Sequence, residues 1–576
     1  MSPLARSARL FPLLASVLVA AFLAQAFLAS RVNSPTWDET GHLAAGLAYV
    51  EKGVFTVNMQ HPPLLKVFCG LSLSLAGIHY PSSPRATALL RGADELQWAV
   101  GSEIIAGTGP GRVMFWARLP FILVGALLGV FVWLWARLLA GEWPALGALL
   151  LAAFDPNLVA HSSLVTTDAG CAAFTVALFY ALWRYVRRPG RLRLMWCGLA
   201  LGAALAAKFS ALFLLPVAAF LLLASVLWPA AGPAEAPAPA KAGPNDACPC
   251  GSGRKFKKCH GAAGRPLPTP GANRGHALLG AAGAFLLICL MAALVVQAAY
   301  FFSSPSLYAA GAREVNADHR ADYRAYLAGF MESRYTGYFA AVYLLKEPLA
   351  GIALAIFGLV LIWRSRSLTR LDKLFLLVPP LVLFVAYSVL AANVGIRYIL
   401  PVLPFAYLAG GMALAALHRG LAGVLCVWLV VAAIGIFPDH LSYFNESACL
   451  AGHPSRIGLD GGSACGVYWL DDHNVDWGQG LLRLKAWLDR HRQGRPVRLA
   501  YFGSFPPEVY GIPARHISDA ELLEPPPPGL TVVSAHLVAR LGLSRQAAAS
   551  GTGEWLRRTA PTAILGHCLY VYDIPR

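Results

Sequence analysis

Long apolar runs alternate with short basic segments over the first three quarters of the residues given. The runs cover 10–30, 113–139, 145–160, 169–186, 194–207, 209–228, 277–300, 349–363, 374–391, 398–417 and 421–437. Roughly 20 apolar residues, at about 1.5 Å of rise each, cross the hydrocarbon of a bilayer. The pattern therefore predicts about 11 transmembrane helices, the shorter runs falling below that length. The first run follows "MSPLARSAR", and its length without a charge favours an uncleaved helix over a signal peptide.

Three hydrophilic pieces interrupt the runs. Residues 32–112 form a first outer loop far longer than an ordinary connection, with a surface helix expected around "ELQWAVGSEII". Residues 229–276 open with "PAAGPAEAPAPAKAGPND", a Pro/Ala-rich linker that builds no core. Residues 438–576 read as a small α/β domain. Its strands are "VRLAYFG", "LTVVSA" and "CLYVYDI", and its amphipathic helix is "GLLRLKAWLDRH". "DWGQG" is expected to open that helix, with Asp476 as N-cap and Gln479 as its box partner. The expected architecture is an α-helical polytopic membrane protein with an N-terminal half (1–228) and a C-terminal half (277–437). A second outer loop spans 301–347, and its Tyr308, Tyr323, Tyr326, Phe330, Tyr335 and Tyr338 suit either a groove cover or an interfacial aromatic belt.

Composition agrees: 57% hydrophobic and 13% charged residues, with a mean hydropathy of +0.55, exclude an ordinary soluble domain. The formal net charge of +17 is accounted for by orientation. With the N-terminus in the cytoplasm, "RYVRRPGRLR", "WRSRSLTRLDK" and "LHRG" all fall on the cytoplasmic side. That threading gives a multi-pass protein of the cytoplasmic (inner) membrane whose C-terminal α/β domain is periplasmic or extracellular. It calls for no sequence-specific nucleic acid partner. Cys449, Cys465 and Cys568 fall on the oxidising side, and the separation of the first two allows a bridge without fixing the pairing.

One segment does not belong to the membrane pattern. "CPCGSGRKFKKCHG" supplies Cys248, Cys250, Cys259 and His260, three thiolates and an imidazole, which suit a closed tetrahedral zinc knuckle with no position for catalytic water. Residues 244–261 resemble the SEC-C motif, a short module known from the tail of the SecA translocation ATPase. The resemblance implies structural Zn2+ in a cytoplasmic loop. Its basic flank suits a cytoplasmic protein partner or anionic lipid, or simply a solvated loop.

The remaining candidates are ionisable residues that the threading brings to the outer face. Asp38 and Glu39 lie in "SPTWDETGHLAAGLAYVEKG", His61 in "NMQHPPLLK", Asp168 in "SSLVTTDAG", Lys208 in "AAKFSALFLLP" and Arg397 in "GIRYILPVLP". Ionisable groups near a bundle are costly and often functional. At these motifs, in this order, the chain resembles the GT-C-fold membrane glycosyltransferases of the protein-mannosyltransferase and lipid A aminoarabinose-transferase kind. The resemblance implies a polyprenyl-phosphate sugar donor and an acceptor hydroxyl on protein, lipid or glycan, met at the extracytoplasmic face. It implies Asp38 as catalytic base, Glu39 sharing that role or holding acceptor, and Asp168 orienting a substrate. His61, Lys208 and Arg397 would bind the donor phosphate.

Each residue also has a plainer reading: a helix cap for Asp38 and Asp168, solvation for Glu39, loop packing for His61, and snorkelling for Lys208 and Arg397. Glycoside hydrolysis is disfavoured because adjacent carboxylates do not straddle a glycosidic bond. The acids Asp471, Asp472 and Asp476 lack a calcium-loop pattern. A polytopic transporter, or a non-catalytic translocation or assembly factor working through the zinc module, are the competing classes. Sugar, acceptor, any catalytic divalent metal and oligomeric state stay open.

Overall fold

The computed structural model describes residues 3–228, 274–318, 323–450 and 452–575. Every apolar run is helical within it, yet not every run is a span. Six helices are long and apolar enough to cross a membrane: Leu10–Val32, Pro110–Ala140, Asp168–Arg187, Phe209–Leu227, Arg274–Ala299 and Arg370–Leu390. Two bent pairs raise the number to eight at most, and Leu64–Leu75, Leu400–Ala416 and Arg419–Gly435 are shorter apolar helices. Against about 11 expected spans, six to eight meet the length and apolarity of a span among the described residues, and the shorter apolar helices account for further runs.

The run at 145–160 shows the cause. Pro156 has no N–H to continue a helix, and Asp155 Oδ1 accepts from Asn157 N (2.7 Å) and Leu158 N (3.1 Å), capping a new helix. Glu142–Ala153 and Pro156–Ser162 consequently meet at 62°, and Tyr338–Lys346 and Leu349–Arg364, separated by Pro348, meet at 116°. Small residues bring the apolar helices together: the Gly358 backbone lies against the Ala409 carbonyl, leaving no room for a Cβ.

The first outer loop folds into the helices Trp37–Leu47, Leu64–Leu75, Pro84–Leu90 and Gln97–Thr108. Gln97–Thr108 forms where the surface helix was expected, but half of it is buried, with Val100, Ser102, Ile104 and Ile105 inside. It can sit there because Gly101 presses directly on the Thr40 backbone. Of the second-loop aromatics, Tyr326 and Tyr338 are buried against the outer domain, Tyr326 donating to Tyr468 O (3.3 Å) and Tyr338 Oη accepting from Asn474 Nδ2 (3.3 Å). They pack between parts of the protein and do not belong to an aromatic belt.

The expected α/β domain contains a five-stranded sheet ordered Ala514–His516, Val497–Ala500, Gly529–Ser534, Leu569–Ile574, Ala563–Leu565. The first three strands are parallel and the last two pair antiparallel. Its helix begins at Leu481, later than expected, and Asp476 does not cap it. Asp476 instead accepts from Gly478 N (3.0 Å) and from the Ser534 hydroxyl, while Gln479 Oε1 takes Trp477 N (2.7 Å). The cap comes from the far end of the sequence, because Ser34 Oγ accepts from Leu481 N (3.1 Å). Two further bonds join the same strips: Ser34 N to Gln479 O (3.1 Å) and Trp37 N to Trp477 O (2.9 Å). Cys449 and Cys465 are disulfide-bonded. The zinc-ligand residues Cys248, Cys250, Cys259 and His260 lie outside the described residues.

Candidate active site

The outer domain and the first loop meet over a cluster of ionisable side chains. Asp38 is the second residue of helix Trp37–Leu47, and the start of that helix is fixed by its neighbour. Glu39 Oε2 reaches back to Thr36 N (2.9 Å) and Thr36 Oγ1 (3.1 Å). The same carboxylate takes Arg118 Nε on Oε1 (2.8 Å), Arg118 Nη2 on Oε2 (2.6 Å) and Val165 N on Oε1 (2.9 Å). Arg118 spends its other protons on Ser30 O (2.6 Å), Asn33 O (2.9 Å) and Ser34 O (3.0 Å). Both side chains are sealed, at 1% and 0% exposure. Every lone pair of Glu39 is committed to this clamp, so its oxygens are not presented to a substrate. The clamp ties the exit of the first span, the Asp38 helix, helix Pro110–Ala140 and the segment before Asp168 into one unit.

Asp38 itself is more open, with 24% of its side chain exposed, and its Oδ2 accepts from Arg397 Nη1 (3.0 Å). Arg397 sits in the tight turn Ile396–Tyr398. Gly395 enters that turn at φ +141°, where a Cβ would approach Asn474 Oδ1 to 3.1 Å, and the same oxygen accepts from Ile396 N (3.2 Å). The guanidinium lies 4.8 Å from the Trp477 ring, and its buried Nε has no hydrogen-bond partner among the described residues.

Asp168 opens helix Asp168–Arg187 and accepts from Lys208 Nζ (2.5 Å). Lys208 follows helix Arg191–Ala207 in extended backbone and lies 4.3 Å from the Tyr398 ring, whose neighbourhood Arg397 shares at 5.7 Å. Two ion pairs, Asp38 with Arg397 and Asp168 with Lys208, therefore flank one tyrosine. His61 stands beside them, its ring 5.4 Å from that of His42, and His42 Nδ1 is 2.7 Å from Val165 O.

Burial alone would raise the Asp38 carboxyl, but the Arg397 guanidinium beside it holds it below the ordinary carboxylate range. Burial drives the His42 imidazole down, and the Asp38 charge opposes this only in part. His61 is held well below its ordinary value by burial first, then by His42, Lys208, Lys66 and Arg397, so it is neutral near pH 7. Burial works against the Arg397 cation, yet Asp168 and Asp38 push it up. The cluster thus holds ionised Asp38 and Arg397 beside two neutral imidazoles.

The structure brings Asp38, His61, Asp168, Lys208 and Arg397 together, with Glu39 beneath them. Sequence reasoning missed several neighbours. His42 carried a signal, one helical turn from Asp38 in "DETGH". Lys66, within the quoted "HPPLLK", ties down the loop through Asn58 O (2.5 Å), Asn58 Oδ1 (3.0 Å) and His61 O (2.8 Å). Arg118, Trp477 and His473, whose ring packs edge-on to Trp477 at 4.1 Å, come from distant stretches with no local pattern. The acids near 471 have separate partners: Asp471 pairs with Arg540 (2.5 Å) and Asp472 with His473 (2.5 Å). Among the described residues no group of three or more His, Cys, Asp or Glu stands ready to hold a metal ion.

Residues 105–231 match the family model described as dolichyl-phosphate-mannose-protein mannosyltransferase, and residues 245–262 match the SEC-C motif. One membrane segment is thus similar to that mannosyltransferase family, and a SEC-C motif is present. The resemblance read from the sequence holds in both segments. The first contains Arg118, Asp168 and Lys208, and the second contains all the expected zinc ligands. Over 30 residues the chain is 73% identical to the protein translocase subunit SecA of Rubrobacter xylanophilus. It is 71% identical over 34 residues to that of Myxococcus xanthus. These stretches span 5% and 6% of this chain and only 3% and 4% of the SecA proteins.

Among solved structures, ArnT from Cupriavidus metallidurans bound to undecaprenyl phosphate aligns over 96% of this chain and 97% of its own, with a TM-score of 0.48 and 13% identity. The oligosaccharyltransferase AglB from Archaeoglobus fulgidus, in complex with an inhibitory peptide and a dolichol-phosphate, aligns over 94% and 72%, with a TM-score of 0.40 and 10% identity. The protein itself is a mostly helical, multi-pass membrane protein.

Proposed function

We propose that this protein is a membrane glycosyltransferase that moves a sugar from a polyprenyl-phosphate donor to an acceptor hydroxyl at the extracytoplasmic face of the cytoplasmic membrane. The observation that carries the reading is the pairing of Asp38 with Arg397 beside Asp168 with Lys208. It puts carboxylates for a hydroxyl next to cations for a phosphate. The match of 105–231 to the mannosyltransferase model supports the same class.

The donor phosphate is received by Arg397 and Lys208, and the unpartnered Arg397 Nε supplies one ready donor. Drawing Arg397 toward the phosphate loosens its hold on Asp38, whose basicity then rises. The acceptor oxygen attacks the anomeric carbon and Asp38 takes the hydroxyl proton. The bond from that carbon to the phosphate oxygen breaks, and its electron pair leaves with the phosphate, where the cations meet the growing charge. Asp168 orients Lys208, and neutral His61 lies within the field of the same cations. Glu39 acts through the clamp, as a positioning residue for Asp38.

The SEC-C segment serves separately as a cytoplasmic knuckle. Cys248, Cys250, Cys259 and His260 form a donor set that fits tetrahedral Zn2+, which would organise the loop without taking part in transfer.

The test is transfer by the purified full chain from a defined set of polyprenyl-phosphate-linked sugars, wild type against Asp38→Asn. Loss of turnover in the variant is expected. Equal turnover in both overturns the assignment of the base, and absence of transfer from every donor overturns the class.

A further inference from the structure

Helix Asp168–Arg187 carries the candidate site at its first residue and arginines at its far end, about 30 Å away for its 20 residues. At that far end an apolar groove of about 680 Å³ opens between helices Pro110–Ala140, Asp168–Arg187 and Arg191–Ala207. Phe131, Phe174, Trp196 and Ala200 are among its walls, and Arg184, Arg191 and Arg193 stand at its mouth. No acidic side chain lines it among the described residues.

The arginines are partly set in place by the protein. Arg184 lies 5.6 Å from the Tyr180 ring and donates to the Tyr180 hydroxyl (3.3 Å), and Arg193 Nη1 donates to Arg188 O (2.6 Å). Basic residues at a membrane face are ordinary, since they orient the chain. An apolar slot that runs into the bilayer and is crowned by guanidinium groups with no acid beside them is a different arrangement. It matches an amphiphile with an anionic head and hydrocarbon tails, because basic pockets between membrane helices receive phosphate headgroups while apolar walls receive acyl chains.

We propose that this groove is a binding site for one anionic phospholipid of the leaflet opposite the candidate active site. The phosphate sits among Arg184, Arg191 and Arg193, and the chains lie along Phe131, Phe174 and Trp196. A polyprenyl-phosphate donor is not the occupant, since the basic mouth faces away from Asp38 by the length of a span. The proposal rests on membrane embedding and does not depend on the transferase chemistry.

The test is native mass spectrometry of the full-length detergent-purified protein, titrated with phosphatidylglycerol or with phosphatidylcholine of the same acyl chains. One phosphatidylglycerol is expected to be retained per chain, at least tenfold more tightly than phosphatidylcholine. The double variant Arg191→Gln/Arg193→Gln removes one exposed and one half-buried guanidinium and is expected to weaken phosphatidylglycerol about thirtyfold, leaving phosphatidylcholine unchanged. Ala200→Trp, which fills the slot, is expected to abolish retention of the lipid while the protein stays monodisperse. Equal retention of both lipids overturns the proposal, as does phosphatidylglycerol binding indifferent to both variants, or preferential occupancy by added polyprenyl phosphate that Ala200→Trp removes.

Discussion

Replacing Glu39 by Gln separates the scaffold of the cluster from its chemistry. The carboxylate accepts from Thr36 N, Thr36 Oγ1, Arg118 Nε, Arg118 Nη2 and Val165 N, and Arg118, at 1% exposure, pairs with no other anion among the described residues. Gln keeps the shape and one acceptor oxygen, but it removes the charge and turns an amide N–H2 toward donors. Removing one partner of a buried pair costs about 3–5 kcal/mol, and the retained carbonyl places Gln at the lower end, with Ala at the upper. Read as local opening, this lowers hydrogen-exchange protection of helix Trp37–Leu47 by about a hundredfold for Gln and a few thousandfold for Ala. Asp38→Asn alters a partly exposed group with a single strong contact and should change the same amides less than tenfold. Exchange mass spectrometry of the three variants in lipid nanodiscs reads the difference directly. Glu39→Gln with wild-type protection across that helix would refute the clamp, and would return Glu39 to the list of groups available to a substrate.

Other outcomes follow from the same geometry. Asp38→Asn should lower turnover by about 10²–10⁴, the usual contribution of a positioned base, with little change in donor KM, as steady-state kinetics would show. Arg397→Lys keeps a charge but loses the planar fork over Trp477 and the free Nε; donor KM should rise about tenfold while acceptor KM holds. In the outer domain, burial raises the Asp476 carboxyl to about 7. A folded value above the unfolded one means the folded state retains a proton that the unfolded state releases. Stability should therefore fall as pH climbs from about 4 to about 7 and level off beyond, by on the order of 4 kcal/mol. Asp476→Asn, which can still accept from Gly478 N and meet Ser534, should flatten that slope in denaturation measured across the range. Cys250→Ser should reduce bound zinc, measured by elemental analysis, and leave transfer intact.

The bundle was legible because apolar length is a one-dimensional signal, and each run returns as a helix. Its bends were less so: the run at 145–160 hides the Asp155–Pro156 break inside a stretch that is apolar on average. Asp38, His61, Asp168, Lys208 and Arg397 were readable because charge beside hydrocarbon is rare. Their roles were harder to separate, since Asp38 and Glu39 are chemically alike and adjacent. What divides them is Arg118, 79 residues away along the chain, which no local pattern connects to Glu39. The outer-domain helix start was misread for a related reason. "DWGQG" has the composition of a cap, but Asp476 turns inward to Ser534 and the capping oxygen comes from Ser34, 447 residues upstream.

That long-range stitch sets a timetable for biogenesis. The ribosome delivers Asp38 early, but the backbone partners that seat its helix, Trp477 and Gln479, are made about 440 residues later. A nascent chain stopped after residue 437 would insert its helices yet lack the lid that finishes the cluster. Completion of the cluster thus waits until the strip at 477–479 has been made, and a chimaera that exchanges residues 438–576 must carry a matching strip at 34–40 to keep the cluster whole.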